Sequence, residues 1–188
     1  DCTVLDGCIY VSASLEHPGI LVQHGPILKV VFGPRDPSYI SPILSTIQSD
    51  LCESGIDGVL SAHIQRDALE KFSYVSPIGA AGVYLHAVAG DFQKEGPARD
   101  LFKSMIHEIS TLAAAMGYPF EKDYVKINLE ILSNLSADAT TSMQRDIMEG
   151  KPSELDGLVM EPIRLAKKYS VPMPCYKEVA KVLCPSEF

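Results

Sequence analysis

No two of the five cysteines are spaced C-x-x-C, and none of the five histidines stands in an H-x-H or H-E-x-x-H pattern. The cysteines, Cys2, Cys8, Cys52, Cys175 and Cys184, are odd in number and scattered, which suits reduced thiols of a cytoplasmic protein. A disulfide framework and a metal site are not expected. A basic run is also missing: 16 Lys and Arg stand against 24 acidic residues, for a net charge of -8. Nucleic acid and anionic membrane surfaces are therefore not expected as partners, whereas a small anion needs only one or two local cations. No signal peptide is read, because Asp1 opens directly onto a strand-like pattern. Residues 72–90 lack any acidic, Lys or Arg side chain and reach the length of a membrane span. Pro77, Gly79, Gly82, Ser73, Ser76 and His86 are costly in a lone span, however, and no second span follows. The stretch reads as small-residue helices packed in a soluble core, with His86 a packed core histidine.

What is present is ordinary globular material. Hydrophobic residues make up 46% and charged residues 21% of 188, enough to bury a sizeable core. Residues 7–15 and 20–33 are rich in β-branched and aromatic side chains around the turn signal His17-Pro18-Gly19, which predicts a β-hairpin. Two strands cannot bury both faces alone, so the hairpin should belong to a larger sheet. After Gly33 the pattern turns helical. Asp36-Pro37 reads as an N-cap and first helical residue, with Ile40, Ile43, Leu44, Ile47 and Leu51 on one face. Further helices are predicted from about Ile64 through Lys71 with a break or kink near Pro77, and over 97–116, 123–133 and 140–149. Another should start at a capping box on Ser153 and bend at Pro162, and the last should run from Pro174 to Leu183.

One segment goes further. T-T-S-M-Q-R-D-I-M-E-G-K-P-S-E-L-D-G, residues 140–157, resembles the signature of the ketopantoate reductase C-terminal domain. A-K-K-Y-S-V-P-M-P (166–174) resembles that family's next stretch. A-L-E-K-F (68–72) resembles its lysine segment, with Leu69 where tryptophan is usual, and the strand ending V-V-F-G resembles the last strand of its nucleotide domain. The resemblance implies a mainly α chain: an N-terminal hairpin left from a Rossmann-type domain (1–33), then a domain of six or seven helices (34–188) resembling the 6-phosphogluconate dehydrogenase C-terminal-like fold. It implies an NADP-dependent oxidoreductase that reduces a 2-oxo acid to a 2-hydroxy acid in pantothenate biosynthesis, working as a homodimer.

On this resemblance Lys71 is the general acid, Glu154 the carboxylate that orients it, and Ser142 the ligand of the substrate carboxylate. Asp146, one turn after Ser142, has a supporting role. Each has a plainer reading: Lys71 as a surface ion pair with Asp67, Glu154 as a first-turn acid, Ser142 as a helix cap. Three positions depart from the family, which has asparagine where this chain has Val75, Gly79 and Ala89. Those amides bind substrate in the family, so the reaction class is better supported than the substrate, and a paralogous 2-hydroxy-acid dehydrogenase is the first alternative. No G-x-G-x-x-G turn occurs, so NADP should be bound mainly by residues outside this chain. A non-catalytic helical dimerisation module is the other alternative. It requires Lys71 and Glu154 to lie apart or face solvent.

Overall fold

The computed structural model describes residues 3–187; Asp1, with the strand-like start read there, and Cys2 lie outside the described residues. The chain divides into two compact units, one ending at Ala68 and the other beginning at Leu69.

In the first unit, β1 (Leu5–His17) and β2 (Ile20–Pro34) form the expected antiparallel hairpin around Pro18-Gly19. Bulges interrupt the register between Val11 and Ala13 and between Leu15 and His17. The hairpin is not alone. Helix α1 (Pro42–Glu53) leads to a short strand β3 (Asp57–Leu60) that pairs parallel to β2, giving the sheet order β1-β2-β3. Sequence patterning missed β3 because its four residues, D-G-V-L, are too few to show a period.

The start of α1 corrects the sequence reading. Asp36 caps a turn instead of a helix, its Oδ1 accepting from the backbone N–H (2.9 Å) and hydroxyl (2.7 Å) of Ser38. The helix begins five residues further on, with Ser41 at the N-cap and Pro42 in the first turn. Asp-Pro and Ser-Pro are both valid starts; the first is taken up in a turn in which Tyr39 N–H donates to Asp36 O, and the second begins the helix. Ile40 consequently lies off the helix and is 92% exposed.

The second unit is helical. It takes in most of α2 (Ile64–Leu85), then α3 (Ala89–Gln93), α4 (Pro97–Ala115), α5 (Tyr124–Ser133), α6 (Ser142–Met148), α7 (Glu161–Lys168) and α8 (Pro174–Leu183). A π-helical turn, Asp156–Met160, runs directly into α7. The chain is therefore mainly α after a short strand region, and α3 is an addition to the helices read from the sequence. The apolar stripe of α4 (Phe102, Met105, Ile106, Ile109, Leu112) is fully buried against Phe92, Leu132, Val159, Met173, Tyr176 and Val179. Each such side chain contributes about 1.5–3 kcal/mol by leaving water. Among the described residues no helix is long and apolar enough to cross a membrane.

Two prolines inside helices define how the unit is joined. Of the break or kink expected near Pro77, the break does not occur, and α2 runs through the proline as one helix. A proline cannot donate to the carbonyl four residues back, which here is Ser73. The buried side chain of Asn128 on α5 supplies the missing donor, Nδ2 to Ser73 O at 3.0 Å. Pro162 similarly cannot serve Leu158 O, and Ser76 Oγ on α2 donates to that carbonyl at 2.6 Å. Ahead of Pro162 the helix widens, with Glu161 N–H reaching back five residues to Asp156 O. The capping box expected at Ser153 does not form: the helix starts two residues later, at Leu155, without a side-chain cap.

Candidate active site

The helix that carries Lys71 is built for close approach. Lys71, Val75, Gly79 and Gly82 fall on one face of α2, since their spacings of four, four and three residues keep within a narrow stripe. Lys71 itself is half-buried. The N-terminal turn of α6 lies against this face about two turns further along, roughly 12 Å by helical rise from the lysine. A Cβ on Gly79 would stand 3.0 Å from Met143 Cε, and one on Gly82 would stand 2.7 Å from the Gln144 side chain. Gly82 thus leaves no room for a Cβ at its contact with α6, while at Gly79 the end of Met143 would have to give by a few tenths of an ångström.

Thr141 and Gln144 form a reciprocal capping box at this contact. Gln144 N–H donates to Thr141 Oγ1 (3.2 Å), and Thr141 N–H donates back to Gln144 Oε1 (2.9 Å). The buried Gln144 amide also donates to Ala87 O at 2.7 Å, tying α6 to the end of α2. Since Thr141 is the cap, Ser142 is released from that role and its side chain is exposed. Asp146 is half-buried, and its carbonyl accepts Lys151 N–H at 2.8 Å where Gly150, at φ +68°, ends α6.

Glu154 lies just before the π-helical turn. Its carbonyl accepts the first helical N–H, from Leu158 at 2.8 Å, while its side chain is exposed. The turn is held to α2 by Ser76, whose hydroxyl is also hydrogen-bonded to that of Tyr176 on α8. Tyr176 is fully buried, and burial holds its phenol protonated far above the ordinary tyrosine range. Helix α8 is capped from a distance: Met173 offers no side-chain cap, and the Glu108 carboxylate of α4 accepts Cys175 N–H (2.8 Å) and Tyr176 N–H (3.1 Å) instead.

The structure therefore fixes the segments bearing Ser142 and Glu154 to the helix bearing Lys71. His86 is not the packed core residue expected; it is exposed, at φ +52°, in the turn that ends α2. Val75 is half-buried, while Gly79 and Ala89 are buried and Ala89 N–H donates to Ala139 O at 2.9 Å. Sequence reasoning passed over Gln144, Ser76 and Tyr176. The Thr-x-x-Gln spacing was a legible capping signal, while Ser76 and Tyr176 have none, being 100 residues apart.

Residues 63–185 match the family model described as ketopantoate reductase PanE/ApbA C terminal. The chain belongs to this family. A curated relative, the uncharacterized oxidoreductase YkpB of Bacillus subtilis (strain 168), is 22% identical over 178 residues, covering 94% of this chain and 58% of the relative. The crystal structure of 2-dehydropantoate 2-reductase from Methylococcus capsulatus superposes with a TM-score of 0.85 at 21% identity, over 98% of this chain and 58% of that one. D-mandelate dehydrogenase, in a ternary structure with NADH and anilino(oxo)acetate, gives 0.82 at 18% identity, over 97% and 60%. The ketopantoate reductase C-terminal fold is thus common to both, and this chain spans about three-fifths of the length of its relatives. Among the described residues, the connections from β2 to α1 and from β3 to α2 are not glycine-rich. The four described cysteines are free thiols, and no cluster of metal-ligating side chains occurs among the described residues.

Proposed function

We propose that this chain is the substrate-handling part of a nicotinamide-dependent reductase that converts a 2-oxo acid to a 2-hydroxy acid. The observation that carries the reading is the double attachment of α2, to the Ser142 turn at Gly79 and Gly82 and to the Glu154 segment at Ser76. It brings the helix bearing Lys71 into contact with the segments that bear Ser142 and Glu154, whose own side chains are exposed. Residues 1–33 belong, on this reading, with the nucleotide-binding part of the whole protein. The bound nicotinamide supplies the hydride.

The remaining chemistry falls to the protein. Reduction places negative charge on the carbonyl oxygen, which must gain a proton. Lys71 Nζ polarises that oxygen and donates the proton, later recovering it from solvent. Glu154 orients the ammonium and, where the substrate is ketopantoate, accepts a hydrogen bond from its hydroxyl. Ser142 donates to the substrate carboxylate, with Asp146 supporting it from the next turn. The protein working as a homodimer and the preference for NADP over NADH rest on the family alone.

Val75, Gly79 and Ala89 favour a second substrate over ketopantoate. Gly79 cannot take an asparagine without displacing the end of Met143, and Ala89 is buried. A 2-oxo acid with an apolar substituent leaves no hydroxyl to be satisfied by amides at these positions. The test is to sequence the coding region upstream of Asp1, express the whole protein, and assay it with NADPH and NADH against ketopantoate and apolar 2-oxo acids. Turnover that falls about 10²–10⁴-fold in Lys71→Ala supports the assignment. A whole protein inert toward every 2-oxo acid, or an unchanged Lys71→Ala rate, overturns it.

A further inference from the structure

We propose that Ser76, oriented by Tyr176, is a positioning residue that sets Glu154 against Lys71; the inference rests on the function proposed above. Ser76 lies five residues after Lys71 on α2, and its hydrogen-bond acceptor, Leu158 O, lies four residues after Glu154. The bond therefore joins the two segments about one helical turn from each candidate catalytic side chain.

Its chemistry is not that of a passive contact. Leu158 O is the carbonyl that Pro162 leaves without the usual helical donor, so the helix itself creates the vacancy that Ser76 fills. A serine has one O–H. Given to Leu158 O, it leaves Ser76 Oγ as the acceptor, and Tyr176 O–H must be the donor to it. Tyr176 is in turn held by its own N–H on the Glu108 carboxylate. The relay runs from α4 through α8 to α2 and ends on the π-helical turn that follows Glu154. Ser76 and Tyr176 are both fully buried, so water does not substitute for either hydroxyl. Extra-residue helical turns of this type occur often at functional sites. Here the anchored turn defines where the chain enters the helix directly after Glu154.

The proton order separates positioning from stability. Tyr176→Phe keeps the Ser76 bond to Leu158 O, whereas Ser76→Ala removes it and strands the Tyr176 hydroxyl. The double variant Ser76→Ala/Tyr176→Phe lacks the tether but no longer buries an unpaired phenol, so it should regain much of the stability that Ser76→Ala loses. In the whole protein, kcat should fall about 10–100-fold in Ser76→Ala and stay equally low in the double variant, with KM changed less than about threefold. Tyr176→Phe should keep kcat within about threefold of wild type. A kcat that recovers along with stability in the double variant, or is unchanged in Ser76→Ala, overturns the proposal.

Hydrogen exchange on this chain gives a readout that needs no turnover. The Leu158 amide, bonded to Glu154 O, should exchange at least about tenfold faster in both tether-less variants, and not in Tyr176→Phe, while amides inside α4 stay unchanged. Equal exchange at Leu158 in all variants overturns the tether itself. Faster exchange combined with a wild-type protein inert toward all 2-oxo acids sinks the reaction assignment, and with it the catalytic meaning of Ser76, while leaving the tether in place.

Discussion

Two single side chains have roles that their residue types do not advertise. Asn128 on α5 is buried because Pro77 withholds an N–H from Ser73 O, and its amide serves that carbonyl. Asn128→Ala should therefore cost about 1–3 kcal/mol, the penalty of an unsatisfied buried carbonyl, seen as a lower denaturation midpoint with an unchanged denaturant slope. A loss below about 0.5 kcal/mol would mean that water reaches Ser73 O in place of the amide. Gly82 faces the Gln144 amide at a distance no Cβ can share. The glutamine cannot swing away without giving up its bond to Ala87 O and its half of the capping box. Gly82→Ala is expected to destabilise by about 1–3 kcal/mol even though alanine favours helix, and a more stable variant in thermal melts would refute the packing argument.

Helix α8 shows how an element can depend on a distant one. Its first-turn N–H groups have no local cap, and the carboxylate of Glu108 takes two of them. Glu108→Gln is not a conservative change, because its NH2 would oppose one of the two donors. Both Glu108→Gln and Glu108→Ala should lower stability, the latter by about 1–3 kcal/mol in chemical denaturation. The same carboxylate has a measurable electrostatic consequence. Burial first, and Glu108 second, push the Cys175 thiol up to about 11 from an ordinary value of 9.0. In alkylation followed by mass spectrometry, Cys175 should react far more slowly at pH 8 than exposed Cys52 and speed up toward pH 11; Glu108→Ala should speed it further. A thiol whose folded pKa is raised stays protonated where the unfolded chain has lost the proton. Its contribution to stability is thus intact below pH 9 and is lost as pH rises toward 11. Equal labelling of Cys52 and Cys175 at pH 8 would show that α8 opens readily. These relations explain what was legible beforehand. The extents of α4 and α8 followed from apolar period and proline starts, because local rules decide them. At Asp36 two local proline signals compete, and the helix takes the second, while the Ser153 spacing is met by a helix that starts later without a side-chain cap. Glu108, Ser76 and Asn128 were invisible because each satisfies a backbone group remote in sequence, and no pattern in a single chain marks such a partner.

On the scale of the whole molecule, the two units differ in how completely they bury their apolar residues. The helical unit encloses its α4 stripe, whereas the hairpin leaves Ile9, Val11, Leu15, Ile20, Leu21 and Ile27 exposed, Leu21 by 74%. Leu15 and Leu21 are cross-strand partners, so their exposed side chains form one apolar patch instead of scattered contacts. Strand β1 is the outermost strand of the sheet order β1-β2-β3 among the described residues. An exposed apolar face on an outermost strand favours association with a second copy, while the two register bulges in the hairpin bend that strand and limit such association. The balance predicts a reversible, concentration-dependent self-association of this chain rather than a tight dimer. Sedimentation velocity over a hundredfold concentration range should show the weight-average coefficient rising, and Ile9→Lys/Leu21→Lys should abolish the rise without changing the melting of the helical unit. A clean monomer throughout would mean that the bulges alone protect the edge. A rise that survives both lysines would place the contact on the helices instead, where a family-type homodimer interface would have to be sought.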